Sequence, residues 1–164
     1  MKPKTRLLLL VIGILILAGG VFLFVKKVTV LQVKNLNHSR TLRISTGPSG
    51  SFSIFYINSI YDEPVSEDFQ IKGDAIILKG VRTKSPAVMG YYGFDDNKEL
   101  HPMNKNLGAS FIFKKGMVEG QGLRIGEKKI YLNEIGEKGN SIQLSAESMH
   151  LGNYLLLMLC NNCF

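Results

Sequence analysis

The sequence predicts an all-β protein, a single antiparallel sandwich or partly closed barrel behind one N-terminal transmembrane helix. The helix is indicated by the stretch from Leu7 to Val25, which contains no charged or strongly polar side chain. The β domain is indicated by short runs of β-branched and aromatic residues between recurring turn residues, with no long segment of helical periodicity. These patterns predict a membrane anchor over residues 1–27 and an extracytoplasmic β domain over residues 28–164.

The apolar stretch is long enough to cross a bilayer. Its nineteen residues would rise roughly 28 Å as a helix, close to the roughly 30 Å of the hydrocarbon core. A helix also leaves no backbone polar group unpaired in lipid. We therefore expect the chain to contact the membrane through residues 7–25.

A cleavable signal peptide is the alternative. It would use Leu7–Leu17 as its apolar core and Ala18 and Gly20 as the small residues before the cut. However, Val21–Val25 stays apolar beyond that point and no Ala-x-Ala triplet is present. The pattern therefore favours an uncleaved anchor.

Basic residues on both sides of the anchor bear on its orientation. More positive charges precede the apolar stretch than directly follow it, which favours a cytoplasmic N-terminus. The prediction is a single-pass protein of the inner (cytoplasmic) membrane, with its domain facing the periplasm or the cell exterior. The basic residues are Lys2, Lys4 and Arg6 before the stretch and Lys26 and Lys27 after it.

The formal net charge of +7 comes mostly from these flanks. They hold five of the twenty Lys and Arg, so that fifteen basic residues face thirteen acidic ones from Val28 onward. No block of like charges or aromatic-interleaved basic stripe occurs there. The composition therefore argues against nucleic acid as a partner.

The strand pattern covers most of the chain after the anchor. Turn residues separate the runs, as in sandwiches and barrels, and a weak helical pattern covers Ala146–Leu159. The predicted strands are Val28–Val33, Leu42–Ser45, Phe52–Asn58, Val65–Ile71, Ala75–Leu78, Ser110–Lys114, Met117–Arg124, Lys129–Leu132 and Ser141–Leu144.

Two turns between Phe52 and Arg82 predict a three-stranded meander. A loop over Tyr61–Pro64 would place Asn58 opposite Glu67, and a two-residue turn at Gly73-Asp74 would place Glu67 opposite Gly80. The same registers would pair Tyr56 with Phe69 and Phe69 with Leu78, and Val65 with Arg82. We therefore expect apolar layers that end in a polar layer around Glu67.

Glu67 is unusual because it shares a face with apolar residues, where an unpartnered carboxylate is costly. Its expected neighbours are Asn58 across the strand and Arg82 on the diagonal. One interpretation is that Glu67 reaches water at the sheet rim or pairs with Arg82. The other is a polar cluster that binds a ligand or carries chemistry. The candidate binding residues are Asn58, Ser59, Glu67, Arg82 and Tyr92.

The segment Phe52-x-Ile-x-Tyr-x-Asn58-Ser59-Ile-x-x-x-Pro64-Val65-x-Glu67-x-Phe69 resembles the core motif of a family of small exported bacterial proteins of unknown function. Genes of that family often lie beside TRAP transporters of the TAXI type, which import small organic solutes with a solute-binding protein. The resemblance implies an exported accessory protein whose partner is a transporter subunit or a solute-binding protein. It implies no established reaction.

This chain departs from the family pattern at Asn58, where the family usually has His. A His–Glu pair could exchange protons near neutral pH, whereas an Asn amide does not titrate. The expected function is therefore a non-catalytic accessory role in small-solute transport. The alternatives are a small extracytoplasmic hydrolase that uses Glu67 as its base, and a purely structural envelope protein.

Other motifs predict little chemistry. Cys160-Asn-Asn-Cys163 has the spacing of a redox dithiol or half a metal site, but a local disulfide or free thiols are simpler interpretations. The segment Tyr91–Asp96 is either an aromatic lid or a turn whose Tyr91 and Phe94 pack in the core. We find no phosphate loop, dinucleotide fingerprint or EF-hand pattern, so no cofactor or metal is predicted.

Overall fold

The computed structural model describes residues 3–96 and 98–161. Helix α1, Pro3–Val25, contains the whole apolar stretch Leu7–Val25 on which the anchor prediction rests. Its most apolar window has a mean hydropathy of 3.1 and none of it is buried. Within the described part of the chain, α1 is the one helix long and apolar enough to span a membrane.

In the described ranges, ten strands form two antiparallel sheets, as the sequence predicts. The four-stranded sheet has the order β2-β1-β10-β7 and the six-stranded sheet has the order β6-β5-β4-β3-β8-β9. Neither sheet closes on itself, so a sandwich describes the fold and a barrel does not. The strands are β1 Lys27–Asn35, β2 Thr41–Ser45, β3 Ser51–Asn58, β4 Glu63–Lys72, β5 Ala75–Thr83, β6 Leu100–Asn106, β7 Ser110–Lys114, β8 Gly122–Ile125, β9 Lys128–Tyr131 and β10 Ser141–His150.

One hydrophobic core joins the two sheets. Phe69 of the larger sheet stacks on Phe52 of the neighbouring strand at 5.0 Å and on Phe111 of the smaller sheet at 5.5 Å between ring centroids. Burial of these apolar faces is the main favourable term in folding. The buried core residues are Leu31, Val33, Ile142 and Leu144 in the smaller sheet, and Phe52, Ile54, Phe69, Ile71, Ile76, Leu78, Leu123, Ile125 and Ile130 in the larger one.

The chain divides into two compact units. One comprises residues 29–147, which hold the sandwich, and the other comprises the described residues up to 28 and from 148 onward. The second unit contains α1 and a C-terminal helix, α3, Leu151–Asn161. This helix begins five residues after the predicted start at Ala146, because β10 continues to His150.

The predicted β3–β4 register is wrong by four residues. Asn58 faces Glu63, and Glu67 faces Ile54. The turn lies earlier than predicted, and Asp62 adopts a positive φ of 52° within it. Pro64 belongs to β4, which tolerates it because pairing with β5 begins only at Val65. A shift of four preserves the alternation of faces, so Glu67 still lies on the inward side.

The β4–β5 register is correct at the turn and wrong beyond it. Phe69 faces Leu78 and Ile71 faces Ile76 around the predicted Gly73-Asp74 turn. A β-bulge then interrupts the ladder between Asp68 and Phe69. Glu67 consequently faces Val81, one residue from its predicted partner Gly80.

Three further elements differ from the predicted ones. The strand predicted over Met117–Arg124 begins only at Gly122, with β8. Strand β6 was not predicted, because its sequence is polar. Helix α2, Pro86–Tyr91, was not predicted either.

Tyr91 is 87% exposed, so it does not pack in the core.

Candidate functional site

A partly buried carboxylate lies among apolar side chains on the inward face of β4. Glu67 stands between Val65 and Phe69, whose exposed fractions are 2% and 3%. Because alternate residues of a strand share a face, Glu67 projects toward the interior of the sandwich. A carboxylate in such a position requires hydrogen-bond partners.

Two tyrosine hydroxyls supply these partners. The Tyr92 hydroxyl donates to Oε1 of Glu67, and the Tyr56 hydroxyl lies 2.8 Å from that of Tyr92 and 3.5 Å from the same carboxylate oxygen. Since each hydroxyl carries one proton, the best arrangement is a chain from Tyr56 to Tyr92 to Glu67. We call these three residues the tyrosine–glutamate cluster.

Strand β3 positions the first member of the cluster. Tyr56 faces Val65 across the β3–β4 ladder, and Glu67 is the next residue on the same face of β4. Diagonal neighbours of this kind are within reach of long aromatic side chains. The phenol of Tyr56 therefore extends along the sheet toward the carboxylate.

Helix α2 positions the second member. The Ser85 hydroxyl accepts a hydrogen bond of 3.3 Å from the backbone N–H of Val88, and Pro86 occupies the first turn. Val88 and Met89 are buried in a small apolar cluster with Val65 and Val81. This packing holds the C-terminal end of α2 over the sheet, where Tyr92 reaches Glu67.

Burial governs the protonation of the cluster. Desolvation raises the pKa of Glu67, although the hydrogen bonds from Tyr92 and Tyr56 partly oppose it. Desolvation and the nearby Glu67 carboxylate raise the pKa of Tyr56 to about 12. The same two causes raise the pKa of Tyr92 well above its usual value. At neutral pH both tyrosines are therefore hydrogen-bond donors and not bases.

The cluster borders a cavity of about 330 Å³. Tyr56 and Glu67 form part of its wall, and no other hydrogen bond reaches Glu67 from the described residues. The remaining wall is mostly apolar and comes from both sheets and from the loop after β7. It consists of Ile54, Ile57, Phe111, Phe113, Met117 and Val118, with Asn58, Ser59, Lys114, Gly116 and Gln121 as the more polar members.

The structure brings only some of the predicted site residues together. Tyr92 contacts Glu67 directly. Asn58 and Ser59 border the same cavity, but Oδ1 of Asn58 accepts hydrogen bonds from the backbone N–H groups of Ile60 and Tyr61 at 3.0 and 3.2 Å. Asn58 therefore stabilises the hairpin turn and does not pair with Glu67.

Arg82 is separate from the cluster, contrary to prediction. The bulge in the β4–β5 ladder places it opposite Ser66, and its guanidinium lies 3.8 Å from the Asp68 carboxylate. The two side chains are 57% and 36% exposed, so this solvent-accessible ion pair contributes little to stability. A second concave region, of about 390 Å³, includes Arg82 among its lining residues, but not Glu67.

Sequence reasoning missed Tyr56 as a functional residue because it was assigned to an apolar layer. The missed signal is its hydroxyl, since a buried tyrosine generally needs a hydrogen-bond partner. An inward-facing glutamate two strand positions away is such a partner. The corrected register makes this pairing visible.

A second polar group surrounds His101, which is 4% exposed and stacks on Phe94 at 4.1 Å between ring centroids. Its Nε2 hydrogen-bonds to the carboxylate of Asp96, which also accepts a 2.8 Å hydrogen bond from Lys98. The hydrogen bonds from Lys98, together with His101, lower the pKa of Asp96 to about 2. This group ties the loop after α2 to β6.

In the described ranges, no group of three or more His, Cys, Asp or Glu side chains is placed so that it could hold a metal ion. Cys160 is exposed and carries a free thiol, whereas Cys163 lies outside the described residues. The arrangement with the clearest chemistry is the tyrosine–glutamate cluster, which combines one carboxylate acceptor, a chain of two tyrosine hydroxyls that fixes it, and an apolar wall. Such a combination suits the binding of a small molecule.

No protein-family model, curated protein or solved structure matches this chain. The resemblance to exported proteins encoded beside TAXI-type transporters therefore stays a prediction.

Proposed function

We propose that the protein is a membrane-anchored extracytoplasmic accessory protein that binds a small organic solute and serves a TRAP-type transport system. The observation that carries the binding role is the cavity of about 330 Å³ bordered by the Glu67 carboxylate. Cavities of this size lie at the lower end of the range for small-molecule sites. The proposed role is non-catalytic.

The protonation of the cluster favours binding over catalysis. Burial and the Glu67 carboxylate keep the Tyr56 hydroxyl protonated near neutral pH, with a pKa of about 12, which is poorly suited to general-base catalysis. Among the described residues, only Tyr56 and Tyr92 hydrogen-bond to Glu67. A carboxylate held at the end of the Tyr56–Tyr92 hydroxyl chain is a rigid acceptor for a ligand.

The chemistry of the wall defines the ligand class. Glu67 offers an acceptor to an ammonium or hydroxyl group, and Ile54, Phe111 and Phe113 offer apolar contact to the rest of the ligand. The Glu67 carboxylate, in its ionised form, disfavours an anionic group beside it. The proposed ligand is therefore a small molecule with an apolar body and one cationic or neutral hydrogen-bond donor.

The location and the transport role rest on two different supports. The length and hydropathy of α1 support a membrane anchor, and the excess of basic residues before it supports a cytoplasmic N-terminus. The resemblance of the segment from Phe52 to Phe69 supports a link to TAXI-type transport. The proposed partners are a transporter membrane subunit or its solute-binding protein.

Ligand binding is tested with matched probes and the full-length chain in detergent. Benzylamine and benzyl alcohol carry a donor on one apolar ring, whereas benzoate is of similar size and anionic. We expect the two donor probes to raise the melting temperature and to perturb tyrosine signals, and benzoate to do neither. Glu67→Gln should abolish the response to benzylamine, and Asp68→Asn, which removes a charge from the opposite face of β4, should retain it.

Equal responses to all three probes, or to none, would contradict the proposed ligand class. Hydrolysis of an aryl ester that depends on Glu67 would instead support the hydrolase. Retained benzylamine binding by Glu67→Gln would move the site elsewhere on the molecule.

The location and the transport role need two further measurements. A reporter active only outside the cytoplasm, fused after Phe164, should be active, whereas activity of a cytoplasmic reporter would reverse the orientation. Crosslinking in intact cells should capture a subunit of a solute transporter, and the genes flanking this one should encode it. Absence of both would remove the transport role and leave the ligand site unaffected.

A further inference from the structure

The C-terminal helix α3 begins where the anchor helix ends. The backbone N–H of Leu151 donates a 2.7 Å hydrogen bond to the carbonyl of Lys26, one residue beyond α1. Gly152 lies against Leu23, and a Cβ added at Gly152 would lie 3.5 Å from the Leu23 carbonyl oxygen. These contacts fix the first turn of α3 at the C-terminal end of α1.

The contact between the two helices is confined to this end. Along α1, only Gly20 and Leu23 are partly covered, and the other described side chains are exposed. Most of the described side chains from Asn153 to Cys160 in α3 are exposed as well. A surface of this kind is stable only if something apolar covers it.

The composition of α3 indicates what covers its exposed surface. No residue from Leu151 to Asn161 is charged. The exposed fractions of Leu155, Leu156 and Met158 are 43%, 61% and 43%. Helices that are apolar on nearly every side belong in a protein core or in lipid.

The length of α3 limits how it meets the membrane. Its 11 residues rise roughly 16 Å, about half of the hydrocarbon thickness. A helix this short cannot span the bilayer, but it can lie within one leaflet beside the end of a spanning helix. Since α1 is apolar up to Val25 and α3 begins beside Lys26, the apolar surface of α1 continues into that of α3.

We propose that α3 is embedded in the leaflet at which α1 ends, with its leucine side chains in contact with lipid acyl chains. This inference rests on the proposed membrane anchoring by α1 and is independent of the ligand and transport roles. The chain thus contacts the membrane at two places, through a spanning helix and through a half-length helix at the other end of the sequence. The second contact restricts rotation of α1 about its own axis, because the backbone N–H of Leu151 is hydrogen-bonded to the carbonyl of Lys26.

Cys160 provides a native reporter for the test. Its thiol is free and exposed near the end of α3, so a small fluorophore can be attached to it in a Cys163→Ser chain. The full-length labelled protein is reconstituted in phosphatidylcholine–phosphatidylglycerol vesicles with or without doxyl-labelled acyl chains. We expect doxyl lipids to quench the fluorescence and iodide, a water-soluble quencher, to have little effect.

A matched label on α1 separates failure of this inference from failure of the anchor. Leu17→Cys, in a chain with Cys160→Ser and Cys163→Ser, places the same fluorophore on a side that is 70% exposed in α1. Quenching by doxyl lipids at both positions supports the proposal. Quenching at position 17 alone, with iodide quenching at Cys160, overturns it and leaves the anchor intact.

Two further outcomes would also overturn the proposal. Protection of the Cys160 label from both quenchers, with rapid disulfide formation between unlabelled Cys163→Ser chains on mild oxidation, would assign the leucine surface to a second copy. Protection from both without such crosslinking would assign it to the protein interior. Loss of doxyl quenching at position 17 would overturn membrane anchoring and this inference together.

Discussion

The hydroxyl of Tyr56 lies 2.8 Å from the hydroxyl of Tyr92, although 36 residues separate them in the chain. The contact joins the central strand β3 to the end of the short helix α2. It leads to Glu67, whose Oε1 accepts the hydrogen bond from Tyr92. One inward-facing carboxylate thus connects three elements and borders the only cavity proposed as a ligand site.

The Tyr92 hydroxyl should contribute measurably to stability. Tyr92→Phe removes the donor to the partly buried Glu67, so we expect a loss of about 1–2 kcal/mol, near the value for hydrogen bonds to charged groups. Tyr91→Phe is the matched control, because the neighbouring Tyr91 is 87% exposed. Chemical denaturation of both variants in the full-length chain checks this. Equal stabilities would show that the hydroxyl of Tyr92 is satisfied by water.

Glu67 should make stability depend on pH in a defined direction. Burial raises its pKa above the ordinary value of 4.5, so the native state favours the protonated form. Its contribution is therefore fully present below about pH 4.5 and is lost as the pH rises through the higher native pKa. We expect the free energy of unfolding of the wild type, relative to Glu67→Gln, to fall over this interval.

The comparison uses unfolding curves of the two proteins at acidic and neutral pH. Asp68→Asn is the control, because it removes a carboxylate from the outward face of the same strand. A wild type that gains stability over Glu67→Gln as the pH rises would contradict the assigned burial of Glu67.

The phenol of Tyr56 should lose its proton only at an unusually high pH. Burial and the Glu67 carboxylate raise its pKa from 10.0 to about 12. The stability that this tyrosine contributes is present below pH 10 and is lost as the pH approaches 12. We expect one phenol with an apparent pKa near 12 in the ultraviolet titration of the folded wild type, and its loss in Tyr56→Phe. The control Tyr61→Phe, in the exposed hairpin turn, should retain this phenol of raised pKa.

Gly50 should be far less tolerant of substitution than Gly73. Both have a positive φ, of 64° and 60°, so alanine is strained at either position and costs about 1 kcal/mol. Only at Gly50 would the added Cβ also meet a backbone atom, the Ile71 carbonyl oxygen at 2.7 Å, whereas Gly73 has open space. Gly50→Ala should therefore be clearly less stable than Gly73→Ala in parallel thermal melts. Equal melting temperatures would mean that the backbone near Ile71 moves to accommodate the added methyl group.

Much of the β domain could be predicted from local patterns. Strands β3 and β4 follow from alternating β-branched and aromatic residues, and the Gly73-Asp74 turn sets the first pairs of β4 with β5 correctly. Strand β6 and helix α2 could not be predicted in this way. The first has few apolar residues, and the second is six residues long, too short for a periodic signal.

The candidate site was predicted in part. The inward position of Glu67 follows from its spacing from Val65 and Phe69, which does not depend on register. Its partners do depend on register, and the predicted partners Asn58 and Arg82 are wrong. Tyr92, one of the predicted candidate residues, contacts Glu67, although the helix that precedes it was not foreseen.

The sequence by itself determined the apolar helix, the antiparallel β class and the face on which Glu67 lies, because these follow from the spacing of neighbouring residues. Tertiary structure alone decided what Glu67 contacts. A shift of four residues in the β3–β4 hairpin keeps every side chain on the same face, so alternation cannot detect it. The approach of Tyr92 depends on the packing of Val88 and Met89 against the sheet, a contact between distant segments that no local pattern encodes.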